Sequence, residues 1–420
     1  MVGSRARAVK RAWPGILWRA MAIRPLALAL LLVLASSCPA LAQPDPPDRS
    51  KDEPATRADV PKTPAEEARK EDLDVLAQER RRATTITPLT GGPAFPISIN
   101  GVFRGGVQWI VNPARAKDDV FGFSAGDIVV TARPTPDVTF LVDLEGLVGP
   151  GPDQALGSLS RMNADADRTD GHENKFFVRE AWVRIQSSDA RIRFNVGKLD
   201  VTHYFDRNFF AEDETRQFMN GSLTVNPMLR QPPNSPGTAI RISQGDWRYA
   251  LGVHAPADVD RDMTGLPYVI GELGRRKVFA LAGHYRWWGR VGSVPERPDD
   301  VTWGTGVSVD QLVNENTGVF VRAGLSRSDG EALTSRAWSI GVQHSPDWLA
   351  RPKDLFGVGY TFQRESAGPE HAAEVYYNVS LADCCRVIAN VEWIFSGPNQ
   401  VTGRRNRDVL VPGLRALILF

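Results

Sequence analysis

Between Val201 and Pro236 the chain gathers groups suited to holding a polar, hydroxyl-bearing ring. His203, Asp206, Arg207, Asn208, Glu212, Asp213, Glu214, Arg216 and Gln217 supply charged and amide groups, and Tyr204, Phe205, Phe209, Phe210 and Phe218 are interleaved with them. The polar groups can hydrogen-bond the hydroxyls of a solute, and a ring can stack on the apolar face of a pyranose. Folded into an aqueous pore, such a segment sets which solute passes through its width and its lining groups. Packed against a wall or a neighbouring subunit, the same aromatics are structural.

Bond-making chemistry has less support. The 6 histidines are scattered and none sits in a nucleophile motif, so no catalytic residue is assigned and no cofactor is expected. Two acidic pieces fit a calcium loop poorly. Counted from Asp260, Gly265 is sixth, but the twelfth is Gly271 and Glu272 comes one late. Counted from Asp165, the sixth is Asp170 and the twelfth Phe176, so both pieces read as solvated loops and no metal is assigned. Cys384 and Cys385 are neighbours, where a disulfide is strained; either a labile bond or two unpaired thiols is expected.

The elements that position these residues begin with a secretory signal. Ile23 to Ala42 (IRPLALALLLVLASSCPALA) has a basic residue, a short apolar run and an Ala40-Leu41-Ala42 cleavage site, so 1–42 reads as a signal peptide. The run is too short to span a bilayer as a helix, and Met21 offers an alternative start. Residues 43–95 read as a Pro- and charge-rich periplasmic linker, disordered at first, with a short helix candidate over Ala65 to Arg82. Basic and acidic residues nearly cancel, at 50 and 49, which argues against a nucleic-acid partner.

From Pro96 the strand period takes over. Ile192, Phe194 and Val196 point one way, and Arg191, Arg193 and Asn195 the other. Trp247, Tyr249, Leu251 and Val253 alternate with Arg248, Ala250, Gly252 and His254, and Phe279, Leu281, Gly283, Tyr285 and Trp287 with Ala280, Ala282, His284 and Arg286. Aromatics near strand ends, such as Trp247, Trp287, Tyr377, Trp393 and Phe395, suit interfacial girdles. Connections alternate in length: 382–384, 314–317, 244–246 and 187–189 are short, while 148–174, 200–236, 288–302, 327–335 and 396–407 are longer. The alternation predicts an all-β fold over 96–420, a transmembrane antiparallel β-barrel of about sixteen strands in the outer membrane of a Gram-negative cell. Wall residues expected to face inward are Arg191, Arg193, Glu374, Asn390, Glu392 and Arg415, and small inward residues (Gly252, Ala280, Ala282, Gly324, Ser326, Gly357, Gly359) suit an open lumen. A purely structural barrel would instead fill its lumen with bulky side chains. Phe420 closes an alternating strand, as in the signal read by barrel-assembly machinery.

Several strings are similar to those of the carbohydrate-selective porins of the OprB type. They are Gly197-Lys198-Leu199-Asp200, Tyr204-Phe205-Asp206-Arg207-Asn208, Glu374-Val375-Tyr376-Tyr377-Asn378, Asn390-Val391-Glu392-Trp393-Ile394 and Val411-Pro412-Gly413-Leu414-Arg415-Ala416. Members of that family often carry Gln-Tyr-Ile where this chain has Glu392-Trp393-Ile394, a departure that bears on sugar preference more than on fold. The resemblance implies a passive channel with a bias toward neutral sugars. Apart from it, a barrel in the outer membrane is expected to have outer-membrane lipid around it, with small sugars as permeating solutes and a homotrimer as a candidate assembly. A general or anion-preferring pore is the alternative within the same class.

Overall fold

The computed structural model describes residues 97–111, 119–166, 175–256, 266–295, 297–329, 333–346 and 351–420. The expected signal peptide, linker and helix candidate lie outside these residues, as do Asp258 to Gly265 and Asp167 to Gly171.

Sixteen antiparallel strands close on themselves in sequence order. The first half comprises β1 (Ile97–Ile110), β2 (Asp119–Thr135), β3 (Val138–Val148), β4 (Lys175–Gln186), β5 (Ile192–Leu199), β6 (Ser235–Gln244), β7 (Trp247–His254) and β8 (Tyr268–Arg276). The second comprises β9 (Gly283–Val294), β10 (Arg297–Leu312), β11 (Thr317–Ser328), β12 (Ser335–His344), β13 (Leu355–Glu365), β14 (Gly368–Ala382), β15 (Cys385–Pro398) and β16 (Arg405–Leu419). The seam is the β1–β16 ladder, running from Val102 opposite Leu419 to Gln108 opposite Gly413. At its end the Phe420 N–H donates to the Gly101 carbonyl (3.1 Å) and the Gly101 N–H donates to the Phe420 carbonyl (2.9 Å). A closed ladder leaves no strand edge unpaired, which is what permits strands to cross hydrocarbon.

The period-2 pattern sorts side chains as expected. Ile192, Phe194, Val196, Trp247, Tyr249, Leu251 and Val253 are exposed on the outer face, while Asn195 and His254 are buried inside. Among the described residues no helix is long and apolar enough to cross a membrane. One rim carries the connections 136–137, 187–191, 245–246, 277–282, 313–316, 345–354 and 383–384, and the other carries 149–174 and 200–234.

Four sequence expectations need correction. Ala280 and Ala282, with Phe279 and Leu281, belong to the 277–282 connection and not to a strand. The stretch 288–302 is mostly ladder, because the irregularity signalled by Pro295 and Pro298 is absorbed by a register shift between Arg297 and Thr302. Arg191 lies in the 187–191 turn, its side chain 74% exposed and paired with Asp189 at 3.2 Å, and is no part of the inner wall. The Cys384 and Cys385 sulfurs are 3.2 Å apart, beyond bonding distance, and Cys385 is a free thiol.

Candidate functional site: a lumen narrowed by two in-folded loops

The 200–234 connection turns into the barrel. Its path is built from short capped turns whose caps are Asx side chains: Asp200 accepts from the Thr202 N–H (2.9 Å), Asp213 from Thr215 (3.0 Å), Asn220 from Ser222 (3.1 Å) and Asn226 from Met228 (3.1 Å). Asn220 opens the short helix α2 (Gly221–Thr224), and Pro227 sits at the first position of the turn that Asn226 caps. Each cap satisfies amide donors that would otherwise be stranded away from water.

Inner-wall side chains then staple this backbone around the barrel. Beginning at β4, Glu180 accepts from the Asp200 N–H (2.7 Å) and lies 2.9 Å from His203 Nδ1. On β8 and β9, Glu272 accepts from the Asp206 N–H (2.8 Å), Trp288 Nε1 donates to Asp206 (2.8 Å), and Arg286 donates to the Arg207 carbonyl (2.8 Å). From β11, Arg322 donates to the carbonyls of Ala211 (2.6 Å) and Leu223 (2.7 Å) and pairs with Asp206 at 3.1 Å. Across the lumen, Glu374 accepts from the Met219 and Asn220 N–H groups, each at 2.9 Å, while Glu392 accepts from Asn220 Nδ2 (3.3 Å) and Gln108 Nε2 (3.1 Å). Asn390 donates to both carboxylates at 3.4 Å, and Arg415 donates to the carbonyls of Glu214 and Gln217. Glu374 and Glu392 therefore hold the loop, with Asn390 bridging the two carboxylates, and the three do not stand as an open opposite rim: all are buried.

The aromatics of the loop pack on the wall. Phe210 and Phe218 join Leu223, Leu312, Phe320 and Tyr376 in one apolar cluster, and Tyr204 and Phe205 join Met228, Leu229, Tyr268 and Trp288 in another. Of the small inward residues, Gly252 seats the Phe205 ring and Gly359 the Phe218 ring, which corrects the expectation that they keep the lumen open. A Cβ at Gly318 would overlap the Phe210 ring, and one at Gly359 would meet Phe218 and Leu223 at 2.9 Å. Gly318→Val is expected to expel Phe210 and destabilise the loop by about 1–3 kcal/mol. Faster protease cleavage between residues 207 and 217, with the barrel intact, is the readout.

A second loop, less visible in the sequence, enters beside the first. Over 149–166 it carries helix α1 (Asp153–Leu156) and buries Leu156, Met162 and Ala166. Glu370 accepts from the Leu159 and Ser160 N–H groups (3.0 and 2.8 Å), and Asn163 donates to Gln108 (2.7 Å). Asp165, a candidate calcium ligand by sequence, is instead clamped by Arg104 at 2.7 and 2.8 Å; Arg104 also meets Asp127 and Glu145. The signal for this loop was three large apolar residues (Leu156, Leu159, Met162) in a stretch read as solvent-facing.

What stays accessible in the lumen is polar and of mixed sign. Glu212, Asp213, Glu214 and Arg216 form the half-buried tip of the first loop, while Asp206 and Asn208 behind them are buried. Arg207 turns its Nε to Glu212 at 2.6 Å, and Asn208 donates to Ser308 Oγ (3.2 Å) and the Val309 carbonyl (3.1 Å). Arg179, part-exposed on β4, lies 3.4 Å from Asp200 and 3.8 Å from Asp127. Toward the short-turn rim, a shallow recess lies among Arg184, Arg193, Arg241, Asn195, His203 and Tyr204. Of the expected site residues, His203, Arg193 and the 212–216 tip face open space.

Two loop groups titrate unusually. Burial works against charge on His203, but Glu180 and Asp200 outweigh it and hold the imidazolium up to about 10. Burial, then Asp165, push the Glu214 carboxyl up to about 7, with Asp213 adding to the rise and Arg179 opposing it. A carboxyl raised in this way favours the folded loop below its ordinary titration range and loses that contribution as pH rises through about 7. Cation preference is expected to fall as pH drops through the same value, because the tip loses a negative charge. Reversal potentials in a KCl gradient between pH 5 and 9 check this, and Glu214→Gln should hold the low-pH value throughout.

No group of three or more His, Cys, Asp or Glu side chains among the described residues is placed to hold a metal ion. One Gly-x-Ser-x-Gly string does occur, Gly122 to Gly126, but it runs inside the continuous strand β2 with Ser124 on the outward face. The nucleophile elbow that pattern serves requires a strand–turn–helix.

The carbohydrate-selective porin model of the OprB family matches residues 289–420. That span holds the Glu374, Asn390 and Val411 strings; the Gly197 and Tyr204 strings lie outside it. Among solved structures, the high-pH form of Pseudomonas putida OprB is similar with a TM-score of 0.62 at 14% identity, over 77% of this chain and 94% of that one. The Acinetobacter baumannii outer membrane channel DcaP matches with a TM-score of 0.52 at 12% identity, over 80% of this chain and 100% of that one. An uncharacterised protein of Aquifex aeolicus is 24% identical over 247 residues, covering 57% of this chain and 72% of its own length. Residues 289–420 are thus similar to the carbohydrate-selective porin family, OprB, and the described barrel shares the fold of the Pseudomonas putida OprB structure.

Proposed function

We propose that this barrel lets small hydroxylated solutes, sugars foremost, diffuse passively across a Gram-negative outer membrane. The route runs between the Glu212–Arg216 tip and the wall formed by β1 to β4. The observation that carries the reading is the 200–234 loop, folded into the lumen and fixed there while leaving a mixed-charge tip accessible. Opposed charges over a short distance offer donors and acceptors to hydroxyls without a strong field for either ion sign. The family description, carbohydrate-selective porin, agrees with this preference.

One observation favours a second reading. Large side chains such as Trp288, Arg322, Tyr268, Phe320 and Tyr376 are fully buried inside, as a structural barrel requires. Solute uptake into liposomes carrying the purified protein separates the readings. Faster entry of glucose and a disaccharide than size predicts, relative to an amino acid and to phosphate, supports the sugar-biased channel. Entry ranked by size alone leaves a general porin, faster phosphate entry an anion pore, and no entry a structural barrel.

A further inference from the structure

The outer face of the barrel is not uniform at the long-loop rim. On most strands the outermost outward residues there are apolar: Trp109, Val120, Val148, Val253, Val291 and Val301 are all exposed. On β11, β12, β13 and β16 they are arginines instead, with β14 and β15 between the last two of these strands. Arg327, Arg336, Arg364, Arg405 and Arg407 are all exposed on the outer face or at its upper margin. Arg336 and Arg364 stand directly opposite one another in the β12–β13 ladder. Like charges so placed repel and destabilise a sheet unless something neutralises them. None of these five guanidiniums pairs with a carboxylate of the described residues, and Arg405 makes a single hydrogen bond, to the Pro369 carbonyl at 3.3 Å. Pro369 is itself opposite Arg364, so Arg336, Arg364 and Arg405 bring their charges together over β12, β13 and β14.

One outward position lower, about 7 Å down the strands, lies an aromatic floor. Trp338 is opposite Phe362, and Phe362 is opposite His371. Trp338 packs on Tyr360 and Phe362 with centroids 5.3 and 6.1 Å apart, and Trp393 packs on Phe395 at 4.2 Å. The Tyr360 hydroxyl is 2.6 Å from His371 Nδ1, so these two polar atoms within the floor satisfy each other. A row of unneutralised cations directly above an apolar floor matches an anionic headgroup joined to acyl chains. Neighbouring strands are about 4.8 Å apart, so a row crossing β11 to β16 spans about 24 Å, too wide for one phosphate.

From this geometry we infer a binding surface for an acylated lipid carrying two phosphates, seated on the outer face of β11 to β16. Its phosphates bridge Arg336, Arg364 and Arg405, relieving their repulsion through charge-assisted bonds, and its chains lie on Trp338, Phe362, Tyr360 and Phe395. The inference rests on the reading of the barrel as membrane-spanning.

The test uses the full-length protein in detergent, titrated with diphosphoryl lipid A and, separately, with phosphatidylcholine, with bound lipid counted by native mass spectrometry. Wild type is expected to retain diphosphoryl lipid A over phosphatidylcholine, and R336Q/R364Q/R405Q to bind it about tenfold or more weakly. The same variant should melt higher than wild type without lipid, because an opposed cation pair is gone, and gain less when lipid is added. A K175Q/K198Q control on another part of the rim should behave as wild type. Equal binding by variant and wild type overturns the proposal. So does loss of a dimer or trimer in the variant, which would make the surface a contact between copies. Conductance in phosphatidylcholine bilayers, recorded in parallel, tests the channel reading independently.

Discussion

Excising residues 207–225 and joining Asp206 to Asn226 through a short glycine linker should raise single-channel conductance several-fold and erase discrimination among solutes except by size. The join is geometrically available, since the Asn226 N–H already donates to the Asp206 carboxylate at 3.0 Å. The excision removes the Glu212–Arg216 tip, helix α2 and the rings of Phe209, Phe210 and Phe218. A sixteen-stranded barrel without an obstruction leaves a wide aqueous channel. The wall groups that lose partners, Glu374 and Glu392 among them, would be rehydrated by the widened lumen and would not be stranded in a dry one. The strand ladder, closed by Val102 opposite Leu419, does not depend on the loop. Planar-bilayer recordings check the conductance, and an unchanged value would show that the loop does not narrow the path.

The second large effect is expected from Arg322→Met. Arg322 is almost wholly enclosed, holds the loop carbonyls of Ala211, Leu223 and Asp206, and lies 3.1 Å from the Asp206 carboxylate, itself enclosed. Burial pushes the Asp206 carboxyl up, with Arg322 as the main opposing charge. Removing one partner of a buried pair leaves the other uncompensated, at a cost of about 3–5 kcal/mol. The loop and not the barrel should bear that cost. Limited proteolysis should cut the loop at rates well above wild type, and channel recordings should become noisy as the loop detaches. The sign of the pH dependence follows from Asp206: its raised carboxyl takes up a proton as pH falls, so the defect should shrink in acid. Asp206→Asn in the same background should recover part of the loss. The exposed Arg191–Asp189 pair provides the contrast, since water already solvates both groups and Arg191→Gln should leave the melting temperature unchanged.

Much of the barrel was legible because its signals are local. Alternation in 192–196 and 247–253 put the right residues outside, and the short turns at 187–191 and 245–246 marked one rim. Where alternation ran past a strand end, as at Phe279 to Ala282 and at Arg191, it misplaced residues, because a period of two does not reveal where the ladder stops. The candidate site was legible in composition and less so in role. Charges and rings between 201 and 236 announced a loop with work to do, and its tip at 212–216 is half-buried in the lumen. Asp206, Asn208, Glu374 and Glu392 proved to be anchors, with Asn390 bridging the last two, and the contribution of 149–166 was hidden in a stretch read as solvated. Gly252 and Gly359 looked like open lumen until the rings of Phe205 and Phe218 were found against them.

The sequence by itself determined a closed barrel of alternating strands and the rim that carries the large loops, because periodicity and turn residues act within a few positions. Only the tertiary structure decided what fills the lumen. Met219 meets Glu374, and Gln108 meets Glu392, across 155 and 284 residues of chain. Such pairings depend on barrel curvature and on which wall position faces a loop atom, neither of which is encoded in local spacing.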